Sequence, residues 1–156
     1  MKINIKKAFA KDKLHIQACT YACGPSALLN VLALKGNYVH NERELIKLCK
    51  AMPKVGTSHE NLVKAARLLG LNVIEEKKNA SIEDIERNID HHAYVIVNYL
   101  EAFDGEGHYS VITNYDKKSF YFMDSALGQL RLKKKLFLRW WYNQNKTIYR
   151  WYVSVN

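Results

Sequence analysis

The apolar residues of this chain change their spacing part-way along. In the first half they recur every three or four positions, the period of an amphipathic helix. From Ala93 to Asp124 they form short β-branched and aromatic runs separated by turn residues, the signature of strands. A block of helices followed by an antiparallel run of strands dictates an α+β fold, with the helices packed on one face of the sheet. At 156 residues the chain reads as one domain spanning 1–156, large enough to bury a real core.

Local signals place the elements. Gly24-Pro25 opens the first helix, because proline suits a first helical turn; Leu28, Val31, Leu32 and Lys35 follow at helical spacing, and Gly36 stops it. Asn41 with Glu44 caps a second helix carrying Leu45, Leu48, Cys49 and Met52. Thr57 with Glu60 repeats that arrangement before Leu62, Ala65, Ala66 and Leu69, and Gly70 ends the third. A short strand over 72–76 follows, then a helix capped by Ser81 and carrying Ile82, Ile85 and Ile89. Strands are expected over 93–100, 108–115 and 119–124, with a Gly-rich loop at 101–107 and a tight turn at 116–118. A helix over 132–144 and a closing strand over 147–155 complete the reading.

Composition excludes several classes. No apolar run approaches the roughly 20 residues of a membrane span. The opening MKINIKKAFAKDK has no apolar core of a signal peptide, so a cytoplasmic, reducing location is expected. The net charge of +9 is uneven: 125–156 holds no Asp or Glu but seven Lys and Arg, from Arg131 to Arg150. Such a face can attract an acidic protein, anionic lipid or nucleic acid, or can simply be solvated. Nucleic acid is disfavoured because no binding motif accompanies the charge.

The three cysteines read differently. Cys49 lies on an apolar helical stripe and reads as core. Cys23 precedes Gly24-Pro25 at a helix start, where free backbone N–H groups and the helix dipole favour a thiolate. Burial in the first turn is the competing reading. Cys19 is open between a bystander, a resolving thiol for Cys23 and a metal ligand; the last lacks a second ligand pair. Among six histidines, His40, His59, His91 and His92 fall at helix boundaries among polar residues and read as surface, and His15 is close to Cys23 only in sequence. His108 starts a strand after the stretch Asp104-Gly105-Glu106-Gly107, where a base is held yet reachable. Asp124 ends the antiparallel partner of that strand, so the hairpin brings both to one end of the sheet. Asp116 sits in the turn at the other end. Gln17, six residues before Cys23, can donate to a developing oxyanion alongside the Cys23 N–H.

The ordered set Gln17-x5-Cys23-Gly24-Pro25, Gly56-Thr57-Ser58 before a helix ending in Leu69-Gly70, Gly107-His108-Tyr109, and Asp124 sixteen positions after His108 resembles the C39 peptidases. These are papain-like cysteine proteases, best known as N-terminal domains of bacteriocin-exporting ABC transporters. The likeness covers roughly residues 17–128. It implies a papain-like fold with the nucleophile on a helix packed against an antiparallel sheet. It implies Cys23 as nucleophile, His108 as general base and acid, Asp124 as the orienting acid and Gln17 as oxyanion donor, with no metal or organic cofactor. It implies a peptide substrate, often a leader peptide ending in Gly-Gly. Two departures stand out. The family commonly has proline after the aspartate, where this chain reads Asp124-Ser125-Ala126-Leu127-Gly128, and no transporter segment follows. The same groups also support deamidation, transglutamination or acyl transfer through a thioester. A peptide- or acidic-partner-binding module on this fold is the non-enzymatic alternative.

Overall fold

The computed structural model describes residues 14–101 and 105–156. The basic opening segment and Asp104 lie outside the described residues. The elements run α1 (Cys23–Leu34), α2 (Glu42–Leu48), α3 (His59–Leu68), β1 (Val73–Lys77), α4 (Ile82–Asp90), β2 (Tyr94–Leu100), β3 (Gly107–Tyr115), β4 (Ser119–Asp124), β5 (Gly128–Lys133), α5 (Lys134–Trp140) and β6 (Tyr152–Val155).

The strands form one six-stranded sheet of order β1-β6-β2-β3-β4-β5, with every pair antiparallel. The α+β class read from the sequence is the one observed. The strand β6 is wedged between β1 and β2, so the end of the described chain is inserted between two strands from its middle.

The N-terminal helices cover one face, as expected. Leu28, Leu32, Leu45, Leu62 and Ala65 pack with Ile96, Val111, Met123 and Val153. α1 is buried throughout from Cys23 to Ala33, because α2 and α3 cover it on the side away from the sheet. The opposite face is covered as well, by α4 and α5: Ile85, Ile89, Phe137 and Trp141 pack on Val95, Val97, Ile112, Phe120 and Phe122. A single helical layer does not account for this second core. Its cause is visible in the strands. Neighbouring residues such as Val95 and Ile96, or Phe122 and Met123, are both apolar and face opposite sides, so both faces must be shielded from water.

The caps follow the local chemistry. Asn41 and Glu44 form a reciprocal capping box on α2, and Ser81 and Asp84 form one on α4. On α3 the cap is Ser58, one residue beyond the expected Thr57; its Oγ accepts the Asn61 N–H at 3.2 Å. Thr57 instead is buried against α1.

Two boundaries near the C-terminus differ from the sequence reading. Residues 128–133 form β5, paired with β4, and the helix is confined to Lys134–Trp140. The alternating burial of β5 is written by Leu130 and Leu132 between Gln129, Arg131 and Lys133, a pattern too short and too charged to stand out. The closing strand covers only Tyr152–Val155. The segment before it folds on itself, closed by a bridge between Tyr142 and Tyr149 and by Asn143 Oδ1 accepting the N–H groups of Thr147 and Ile148.

Phe137 is fully buried and its ring meets those of Tyr99, Phe120, Phe122 and Trp141. Phe137→Ala is expected to lower stability by about 3–5 kcal/mol, read from urea unfolding. A loss below 1 kcal/mol would mean that α5 does not cover this face.

Candidate active site

Three element ends converge. The first turn of α1 carries Cys23, the start of β3 carries His108 and the end of β4 carries Asp124. β3 and β4 are antiparallel neighbours, with Val111 opposite Met123. That register brings His108 Nε2 to 2.9 Å from Asp124 Oδ2. The Cys23 side chain is close enough to the His108 ring to help raise its pKa. Asp124 occupies Nε2, which leaves Nδ1 as the ring nitrogen for the thiol.

Asp124 is fully buried and multiply held. Its Oδ1 accepts the N–H groups of Ala126 and Leu127, each at 2.9 Å, and the Tyr99 hydroxyl donates to Oδ2 at 3.4 Å. Burial works to raise its pKa; the His108 bond and charge and the turn N–H groups outweigh that and lower it. The turn after Asp124 is fixed by the aspartate accepting from its own downstream backbone. His108 shows the mirror image. Burial works to lower its pKa, but the bond to Asp124, the nearby Cys23 side chain and the charges of both raise it. The Tyr99 ring stands edge-on to His108, with centroids 5.8 Å apart.

Gln17 lies before α1, and its backbone N–H donates to the Ser125 carbonyl at 2.9 Å. Its side-chain nitrogen donates to the Cys19 carbonyl at 2.9 Å and makes a longer, 3.4 Å contact with that of Thr20. The structure thus joins Gln17 to the Asp124 turn and His108 to Asp124, with Cys23 near the same ring.

The other candidates separate from this group. Asp116 is bound within its own turn by Lys118, Ser119, Tyr121 and Arg131. Cys49 is buried, which pushes its thiol up to about 12. Cys19 is half-buried and unpaired to another cysteine, and no cluster of metal-ligating side chains occurs among the described residues. His15 bonds through its ring to Glu42.

His59 departs from the surface position read in the sequence. It is half-buried and stacks on Trp151, with centroids 3.9 Å apart and planes 8° from parallel. Burial lowers its pKa to about 4 against the opposing pull of a bond to Asn98. Its partner, Trp151, immediately precedes β6 and lies nearly a hundred residues on, so no local pattern could have revealed the stack. With Cys23, Gly56, Thr57, Asn98, Gly107, Tyr109 and Gln144, among others, His59 lines a cleft of about 650 Å³. Gly24 permits a close approach at its edge: a Cβ there would lie 3.1 Å from Thr57 Cβ and Oγ1.

A helix-borne thiol, an imidazole and a buried carboxylate beside a cleft, on a helix-and-antiparallel-sheet scaffold, define the class of papain-like α+β proteins. The chain belongs to the Peptidase C39 family, whose model matches residues 11–149. It is 30% identical over 139 residues to an uncharacterized protein of Methanothermobacter marburgensis, covering 88% of this chain and 89% of that protein. A second uncharacterized protein, from Methanothermobacter thermautotrophicus, is 32% identical over 124 residues, 80% of this chain and 79% of the relative. Among solved structures, a C39-like peptidase from Bacillus anthracis matches with a TM-score of 0.71 at 14% identity, covering 96% of both chains. The peptidase domain of Streptococcus ComA, a bifunctional ABC transporter, matches at 0.68 and 22%, covering 92% of this chain and 96% of that one. A double glycine motif protease from an AMS/PCAT transporter, solved with its leader peptide, matches at 0.62 and 18%, covering 91% and 88%.

The half-buried His59 has a consequence for stability. Its folded pKa of about 4 lies below the ordinary value of 6.5. The unfolded chain therefore binds more protons between these values, and folding weakens as pH falls from about 6.5 towards about 4. His59→Phe, which keeps an aromatic ring on Trp151, is expected to flatten the pH dependence of the unfolding free energy in that window. An unchanged slope would mean that His59 titrates normally.

Proposed function

We propose that this chain is a cysteine peptidase acting through a Cys23 thioester. The observation that carries the reading is the bond from buried Asp124 to His108, with Cys23 acting on the same ring from the first turn of a buried helix beside a cleft. Cys23 Sγ attacks the scissile carbonyl carbon, and the thiol proton resides on His108. The oxyanion forms against the Cys23 backbone N–H, at a helix start with no side-chain cap, and one N–H of the Gln17 side chain. The Gln17 hydrogen facing Thr20 over 3.4 Å is the more weakly held of the two and the one available to substrate. His108 then gives its proton to the leaving amine, and the C–N bond breaks to leave a thioester. Water, losing a proton to His108, attacks the thioester; the acid product leaves and the thiol is restored. Asp124 holds the ring orientation and stabilises the imidazolium throughout.

The substrate in this reading is a peptide lying along the cleft. Gly107, next to His108, is closely covered by the 143–148 segment: a Cβ there would lie 3.3 Å from Gln144 Cβ. In this reading, the close cover over Gly107 favours small residues at the cleavage site. The double glycine substrate motif named for one structural neighbour has that character.

Cys23→Ala is expected to abolish rapid labelling by iodoacetamide near neutral pH, with Cys19→Ala and Cys49→Ala keeping most of it. Fast reaction at Cys19 instead would overturn the assignment. Asp124→Asn is expected to lower kcat by about 10³–10⁴-fold, the scale for an imidazole held in the wrong tautomer, with a far smaller change in KM. Equal losses would make Asp124 structural. Mass spectrometry of products from peptides ending in Gly-Gly separates hydrolysis from acyl transfer to an amine.

A further inference from the structure

We propose that Ser125 is a positioning residue that fixes which end of the Gln17 side-chain amide faces the reacting carbonyl. The inference rests on the peptidase reading above, in which Gln17 donates to the oxyanion.

An amide side chain has a donor end and an acceptor end, and a half-turn about its last bond exchanges them. As an oxyanion donor, Gln17 works in one orientation only. Two contacts select it. The Ser125 hydroxyl donates to Gln17 Oε1 at 2.7 Å, and Gln17 Nε2 donates to the Cys19 carbonyl at 2.9 Å. A half-turn would set Oε1 against the Cys19 carbonyl oxygen, acceptor against acceptor. The Ser125 bond also holds the amide plane against the rocking that one nitrogen contact would permit. Ser125 is 1% exposed, so water does not compete at its hydroxyl.

The remaining tethers of this segment hold its backbone. The His15 N–H donates to Asn30 Oδ1 at 2.7 Å, and Asn30 Nδ2 donates back to the His15 carbonyl at 3.2 Å. The Ala18 N–H donates to Glu42. Among the described residues, the Ser125 hydroxyl is the hydrogen-bond partner of the Gln17 amide oxygen.

Ser125 is itself rigid because it stands inside the turn that Asp124 closes by accepting from Ala126 and Leu127. One turn thus aims His108 through the carboxylate of residue 124 and Gln17 through the hydroxyl of residue 125. This is the position at which the C39 pattern commonly has proline. Proline there would keep the carbonyl that accepts the Gln17 N–H and would lose the hydroxyl. The departure from the pattern supplies a restraint.

The test compares Gln17→Ala, Ser125→Ala, Ser125→Thr and the double variant Gln17→Ala/Ser125→Ala. The probe is a peptide ending in Gly-Gly joined to aminomethylcoumarin, with the iodoacetamide rate at Cys23 measured alongside. Gln17→Ala should cost about 10²-fold or more in kcat, as loss of an oxyanion donor does. Ser125→Ala should cost about 5–10-fold in kcat, the scale of one hydrogen bond, with KM unchanged. Ser125→Thr should restore the rate. Alkylation, which forms no oxyanion, should stay within about twofold of wild type in each. The double variant should be no slower than Gln17→Ala alone, because both changes remove the same interaction. Losses that multiply, an unchanged kcat in Ser125→Ala, or an equal slowing of alkylation would overturn the proposal. Nitrogen-15 NMR of the Gln17 side-chain NH₂ gives an arm independent of turnover. Its resonances should move towards those of a mobile glutamine in Ser125→Ala, and unchanged resonances would also overturn the proposal. A wild-type chain that neither cleaves the probe nor alkylates at Cys23 would refute the peptidase reading, while the NMR arm would still decide whether Ser125 holds Gln17.

Discussion

A carboxylate with no exposure to solvent must be compensated on every side, and Asp124 is the residue on which the rest of the site depends. Its compensation comes from groups that each have a structural task. Two backbone N–H groups close the turn into β5, the His108 ring ties β3 to β4, and the Tyr99 hydroxyl reaches in from β2. Removing the charge would loosen a turn and three strands at once. The same compensation keeps His108 charged more readily than a free imidazole, beside the thiol at the start of α1.

The sheet makes this arrangement possible by being apolar on both faces. α1 to α3 on one side and α4 with α5 on the other leave the polar groups of the site at the strand ends, where the cleft opens. Cys23 and His108 thus meet at the edge of two dry layers. Each is nearly buried, yet Cys23 remains in the cleft wall.

Much of this was legible in the sequence because it is written locally. The helix start at Gly24-Pro25, the capping pairs at Asn41 and Ser81, and the hairpin that sets His108 beside Asp124 are all patterns of near neighbours. What escaped depends on residues far apart. The second helical layer depends on which face each strand residue takes, which residue type alone does not show. β5 is masked by its charges, and the helix after it is shorter than its apolar spacing suggests. His59 looked like a polar residue at a helix start, and only the distant Trp151 makes it part of the cleft wall. Thr57 looked like a cap, but the bare Cα of Gly24 leaves room for it against α1.

The place of β6 carries a consequence for how the molecule comes into being. It separates β1 from β2, so β1 has no hydrogen-bonded partner in the sheet until residues 152–155 exist. A ribosome makes Cys23 early and Trp151 late. Helix α1 can form and cluster with its neighbours while the chain is still being extended, but the wall that Trp151 supports cannot. Long-range strand pairing of this kind is slow to form, and here it is also the step that completes the cleft. The topology therefore leaves this side of the cleft incomplete until residues 151–155 have been synthesised.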